Sequence, residues 1–220
     1  EVGQISNPNL SGKTYKGAVT GMPNNMTGPE LIKFWIRKAA SANKGVDAAN
    51  GYNYPQLISK FILGAVFYHQ AVDNYLDEKM TAKKKPNNKP YKKGKHYTGK
   101  EHSWDEAFGY FGIPAHGLNL SPKQLYSIAK QQPDAVSYAD ANGDGKIDLY
   151  GEMVFGPAYY AAGSDKSGKT SYAKNIAQAF LDGRKLITSA GGKMLSDKQR
   201  SQLMTYARTI ETNWEKTLAE

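Results

Sequence analysis

Apolar residues recur along most of this chain at three- and four-residue spacing, the signature of helices that bury one face. The first such stretch follows Thr27-Gly28-Pro29-Glu30, a capping box in which the hydroxyl and the carboxylate each satisfy a free backbone N–H. Leu31, Trp35 and Ala39 then share a face, with Ile32 and Ile36 beside them. Pro55 opens a second helix to about Glu78. Its apolar positions (Leu57, Ile58, Phe61, Ile62, Ala65, Val66, Val72, Leu76) run almost all round in the first half, as in the central helix of a bundle.

Ser103-x-x-Glu106 reads as another capping box, opening a short helix through Phe111 that Gly112 and Pro114 end. Ser121-Pro122-x-Gln124 starts a fourth helix. An acidic loop, Asp140 to Glu152, and an aromatic stretch, MVFGPAYYAA, follow. Two long amphipathic helices close the chain. One spans about Thr170 to Ala190 and stops at Gly191-Gly192; the other, opened by Ser196, spans about Asp197 to Leu218. No run alternates with period two. The expected fold is all-α, a helical bundle formed by one domain over residues 1–220.

Composition narrows the chemistry. At 220 residues with 40% apolar and 22% charged, the chain is long enough for a core and unlike a disordered or coiled-coil sequence. It has no cysteine, which removes disulfides and thiolate sites. The longest uncharged apolar run, Phe61 to Val72, is 12 residues, short of the roughly 20 that a bilayer span needs.

The net charge of +9 sits in one place: nine lysines between Lys79 and Lys100, without an acid among them. With Pro86 and Pro90 and little apolar content, residues 79–100 read as a flexible, solvated loop. The alternative is a polyanion-binding module. Specific nucleic-acid recognition asks for arginine forks or stacking rings, and only Tyr91 and Tyr97 are present, so none is expected. The opening Glu1-Val2, without an initiator methionine, fits a removed secretory leader and equally a trimmed boundary.

Asp140-Ala-Asn142-Gly-Asp144-Gly145-Lys146-Ile147-Asp148 follows the first nine positions of an EF-hand-type loop. Ca²⁺ takes six to eight oxygens at about 2.3–2.6 Å, and alternate residues of a tight loop converge on one centre. Asp140, Asn142 and Asp144 would offer side-chain oxygens, Lys146 its carbonyl, and Asp148 a direct or water-borne contact. Position twelve is Gly151, so the closing carboxylate falls to Glu152, one residue late. The expected role is structural rather than signalling, since no second such loop accompanies it.

Gly163-Ser-Asp-Lys-Ser-Gly168-Lys169-Thr170 fits the phosphate-loop pattern, which would make the chain a nucleotide-binding enzyme. That reading needs a buried strand before the loop. The residues there, Gly156-Pro157-Ala-Tyr-Tyr-Ala-Ala, are poor strand formers, so a plain loop before a helix is preferred.

Among four histidines, His69 and Asp73 lie four apart on the second helix, as a metal pair or a satisfied core histidine. His102, Asp105 and Glu106 gather near a helix start, where the dipole favours anions. The segments FILGAVFYHQAVDNYL, EHSWDEAFGYFG, DANGDGKIDLYGE and AFLDGRKLI, in order across roughly residues 30 to 190, resemble a domain-of-unknown-function group of bacterial envelope proteins, itself similar to the imelysins. That resemblance implies a periplasmic or secreted helical bundle associated with iron uptake; one such protein was described as a peptidase. The imelysin hallmark is G-x-H-x-x-E. Here Gly99-Lys-Glu-His102-Ser-Trp-Asp105 places the histidine one residue late and aspartate where glutamate is expected, so only His102 carries over, with Asp105 or Glu106 as partner. The H-E-x-x-H of a metalloprotease is absent.

The combined expectation is a binding protein rather than an enzyme. It would be calcium-stabilised, handle a small ligand or a metal such as Fe or Zn at His102, Asp105 and Glu106 with His69 and Asp73 facing them, and be soluble apart from any envelope partner.

Overall fold

The computed structural model describes residues 12–80 and 85–220. Lys83 and Lys84 of the lysine segment lie outside the described residues, as do the first eleven residues. The architecture is all-α: α1 (Gly28–Ser41), α2 (Tyr54–Ile62) running into a π-helix (Leu63–Glu78), α3 (Gly99–Phe111), α4 (Pro122–Ala129), α5 (Val136–Ala139), α6 (Gly156–Asp165), α7 (Tyr172–Ser189) and α8 (Asp197–Ala219). Among the described residues the only ladder pairs β1 (Val46–Asp47) with β2 (Tyr52–Asn53), antiparallel and two residues long. Contacts divide the chain into two compact units, one through Gln70 and one from Ala71.

In the first unit the predicted box forms: Glu30 accepts from the Thr27 N–H at 2.8 Å. Leu31 and Ile32 are buried, and Trp35 meets Phe61 edge-on at 5.5 Å, so the apolar stripe of α1 packs on α2 as its spacing requires. Gly28 is needed for close approach, because a Cβ there would fall 2.3 Å from the Tyr15 carbonyl oxygen. The Tyr15 N–H in turn donates to Ala65 O at 2.7 Å. The expected single helix from Pro55 changes winding at Leu63 to the rare i→i+5 form.

The second unit centres on α3, α7 and α8. Ile176 and Ile187 of α7 and Ile210 and Trp214 of α8 have no exposed surface. Each aliphatic side chain buried in this way contributes about 1.5–3 kcal/mol. Phe111 of α3 meets Trp214 edge-on at 5.2 Å. The turn between α7 and α8 uses Gly191 and Gly192, both at positive φ, and the Ser196–Gln199 box starts α8 where the sequence puts it.

The start of α3 differs from expectation. Helix formation begins at Gly99, because Thr98-x-x-Glu101 is the box that closes: the Thr98 hydroxyl accepts from Glu101 N at 3.1 Å, and Glu101 accepts from Thr98 N at 2.8 Å. Ser103 is wholly buried inside the helix and caps nothing. Gly112, at φ +83°, ends α3 as predicted, and its carbonyl accepts from Phe155 N at 3.0 Å.

The lysine segment is tied down at both described ends. Asn87 is buried and donates to Ile187 O and Lys193 O at 3.1 Å each, and its own oxygen accepts from the Thr98 hydroxyl at 2.7 Å. Lys100, the last of the nine, lies inside α3 at 1% exposure and donates to Met80 O at 3.0 Å. It is a core residue, not part of a solvated face.

Candidate functional site

The acidic loop, residues 140–152, lies between α5 and α6. Gly143 and Gly145 both adopt positive φ, which lets the chain coil back on itself at each. Asp140 ends α5 and faces into the coil: its Oδ1 accepts from Gly143 N at 2.6 Å and Asp144 N at 3.2 Å, its Oδ2 from Gly145 N at 2.8 Å. Those amides, Gly145 first, hold the Asp140 carboxyl below the usual carboxylate range. Asn142 accepts from Asp144 N, Asp144 from Lys146 N, and Asp148 from Tyr150 N and Gly151 N.

Glu152 is the buried member at 3% exposure. One oxygen accepts from Ala141 N (2.8 Å) and Asn142 N (3.2 Å), the other from Asp148 N (3.0 Å), so it ties the two ends of the loop together. Asp144 and Asp148 each spend only Oδ1 on the backbone and keep Oδ2 as an acceptor. The donor set is all oxygen, as a hard cation requires. Among the described residues, though, no three His, Asp or Glu side chains converge into a metal shell. The carboxylates are turned onto amides of their own loop.

The second candidate cluster separates into distinct pairings. His102 Nε2 lies 3.6 Å from Glu106 Oε1, and its ring lies against Tyr91 at 3.7 Å between centroids, with Tyr97 at 5.7 Å. Burial first, then Lys85 and Lys92, lowers the His102 pKa against the pull of Glu106. Glu106 also accepts from the Tyr75 hydroxyl at 3.3 Å.

Asp105 turns the other way, accepting from Arg184 Nε at 2.9 Å, while Arg184 Nη1 donates to Glu101 at 2.7 Å. Burial opposes the Glu101 charge, but the Thr98 amide, the Arg184 guanidinium and the Thr188 hydroxyl together hold its carboxyl below the usual range. Arg184 was not among the candidates; a lone arginine 79 positions from Asp105 leaves no periodic signal. His69, in the first unit, meets Tyr15 edge-on at 5.4 Å. Asp73, in the second, lies with Asp77 near Glu211 and helps raise the Glu211 pKa, after burial and Glu215.

The phosphate-loop spelling has a helix after it, α7, but no strand before it. What precedes residue 163 is α6, a helix, and it runs through Asp165. Asp165, 2% exposed, accepts from Tyr172 N and Ala173 N at 2.8 Å and from the Thr170 hydroxyl at 2.7 Å. The first amides of α7 already hold this carboxylate, and the threonine hydroxyl that would hold Mg²⁺ donates to it.

No helix among the described residues is long and apolar enough to cross a membrane. No curated protein and no solved structure matches the chain. A family model does, over residues 38–201, from the end of α1 into the start of α8, with the acidic loop between. The chain belongs to the domain-of-unknown-function family DUF4856.

Proposed function

We propose that residues 140–152 are a calcium-binding brace of EF-hand type in an exported, imelysin-like helical binding domain of the cell envelope. The observation that carries the reading is the loop's division of labour. Glu152 and Asp140 shape the backbone from inside, while Asp144 and Asp148 keep a free carboxylate oxygen each. A cation would be held by those oxygens with Asp140, Asn142 and the Lys146 carbonyl, and Glu152 would close the loop. When bound, calcium would neutralise four carboxylates crowded into thirteen residues and so lock the connection between α5 and α6. The resemblance of the ordered motifs to a group of bacterial envelope proteins supports the export. Iron or zinc at His102 has weaker support, since Glu106 is its one carboxylate at 3.6 Å and Asp105 is engaged by Arg184.

Parallel thermal melts with EDTA, Ca²⁺, Fe, Zn and MgATP test this. Calcium at 100 times its dissociation constant adds about 2.7 kcal/mol, a rise of about 5–11 °C for a chain of this size. Indifference to millimolar calcium sinks the proposal.

A second reading has one observation behind it. Tyr91 and Tyr97 stack at 6.0 Å with His102 against them, and Lys85 and Lys92 lie over Tyr91 and Lys95 over Tyr97. Such a lysine-fringed ring surface suits a polyanion. Neutralising those three lysines would then abolish a salt-sensitive association; unchanged association with heparin or a single-stranded oligonucleotide rejects it.

A further inference from the structure

The second unit contains a half-open pocket of about 200 Å³ between α3, α7 and the turn that follows α3. Its wall is apolar: Trp104 and Phe108 from α3, Phe180 from α7, and Leu118. Phe180 meets Trp104 and Phe108 edge-on at 5.7 and 5.5 Å. The Trp104 N–H is already spent on Phe180 O at 2.8 Å, so the aromatic wall asks nothing polar of an occupant.

One edge of the pocket is different. Asp105 and Arg184 line it, and they are joined at 2.9 Å. Their exposures, 51% and 32%, put this edge at the mouth, whereas Trp104 at 1% forms the floor. Arg184 uses Nε and Nη1 on carboxylates, which leaves Nη2 with two donors; Asp105 uses Oδ1 and leaves Oδ2 as an acceptor. The charges offset each other. An incoming anion would meet Asp105 and Glu101 beside the guanidinium, and an incoming cation would meet Arg184 beside the carboxylate.

We infer that this pocket binds a small neutral amphiphile: a ring of about eight to ten non-hydrogen atoms with one hydroxyl, amide or ring N–H to meet the Asp105–Arg184 edge. Size follows from cavity volume, since an apolar cavity of about 150 Å³ accepts benzene. Chemistry follows from the ion-paired edge on an otherwise apolar wall. The pocket shares no residue with the acidic loop, so this inference stands or falls independently of calcium.

The test is calorimetry and ligand-observed NMR on the full chain with three probes of equal ring size: 4-methylphenol, benzoate and benzylamine. The neutral phenol is expected to saturate, at least tenfold tighter than either charged probe. Ala115→Trp, which fills the mouth from an exposed position, is expected to abolish saturation while circular dichroism and the melting temperature hold. Arg184→Met is expected to erase the preference for the neutral probe. The inference is overturned if the phenol fails to saturate at its solubility limit, if a charged probe binds more tightly, or if folded Ala115→Trp binds as well as the parent.

Discussion

The indole of Trp104 lies on the bare backbone of Gly183. A Cβ built on that glycine would stand 2.1 Å from Trp104 Cζ2, closer than atoms can approach. The Trp104 N–H reaches Phe180 O one turn earlier on α7, so one side chain both packs on and hydrogen-bonds to the same helix. This crossing sets the distance between α3 and α7, and thereby the width of the pocket between them.

Gly183→Ala tests that contact. In an exposed helix the change would stabilise by about 1 kcal/mol through propensity. Here the overlap with Trp104 outweighs it, and a net loss of about 1–3 kcal/mol is expected in urea unfolding, as for other overpacked cores. A neutral or stabilised variant would show that the two helices are not in contact at this point.

Asp165 and Lys169 should behave opposite to their counterparts in a nucleotide site. Asp165→Ala removes a buried acceptor from two amides and a hydroxyl, and a loss of about 2–3 kcal/mol is expected. Lys169, exposed in the loop, should tolerate alanine within about 0.5 kcal/mol, and MgATP should not raise the melting temperature. An ATP-dependent rise lost in Lys169→Ala would restore the phosphate-loop reading.

Within the acidic loop the variants separate two roles. Glu152→Gln should destabilise with or without calcium, by about 1–3 kcal/mol, because the loop amides lose their charged acceptor. Asp144→Ala should be nearly silent in EDTA and should remove the calcium-induced rise. Equal effects of Asp144→Ala in both buffers would mean that it serves the backbone alone.

Lys100 gives a pH signature. Burial first, with Arg200 adding repulsion, brings its amine down from 10.5 to about 8. A lysine with a depressed pKa makes the folded state bind fewer protons than the unfolded state between pH 8 and 10.5. Stability therefore rises with pH across that window, and below it the full penalty applies, about 3 kcal/mol. Measured against Lys100→Met, the wild type should gain about that much between pH 7.5 and 10.5. A flat difference would place the amine in water. On the acid side Glu101, held below its usual range, contributes stability above its unfolded pKa that is lost as pH falls through the folded one.

Local signals in the sequence were enough where one residue decides an outcome. Gly112 and the Gly191-Gly192 pair end their helices as read, and Ser196 begins α8 on the predicted residue. The start of α3 was expected at Ser103 and lies five residues earlier, because Thr98-x-x-Glu101 carries the same spelling and is the box that forms. The choice depends on the burial of Ser103, which is a tertiary fact. Gly145 in the acidic loop takes the conformation its place in the pattern demands. The directions of the carboxylates did not follow from spacing, since each can turn to the nearest amide. His102, Asp105 and Glu106 look like one group in sequence, yet only His102 and Glu106 share a face of α3, while Asp105 turns to α7. Tyr91 takes the first, Arg184 the second and Tyr75 the third. Partners that lie off α3, one of them 79 residues away, could not be foreseen from the helix alone.

The carboxylate of Asp165 makes residues 163–170 self-quenching. A magnesium ion seeking the Thr170 hydroxyl would meet a tethered carboxylate already hydrogen-bonded to it. An eight-letter spelling can thus persist where a helix stands in place of the strand and the threonine hydroxyl is already taken.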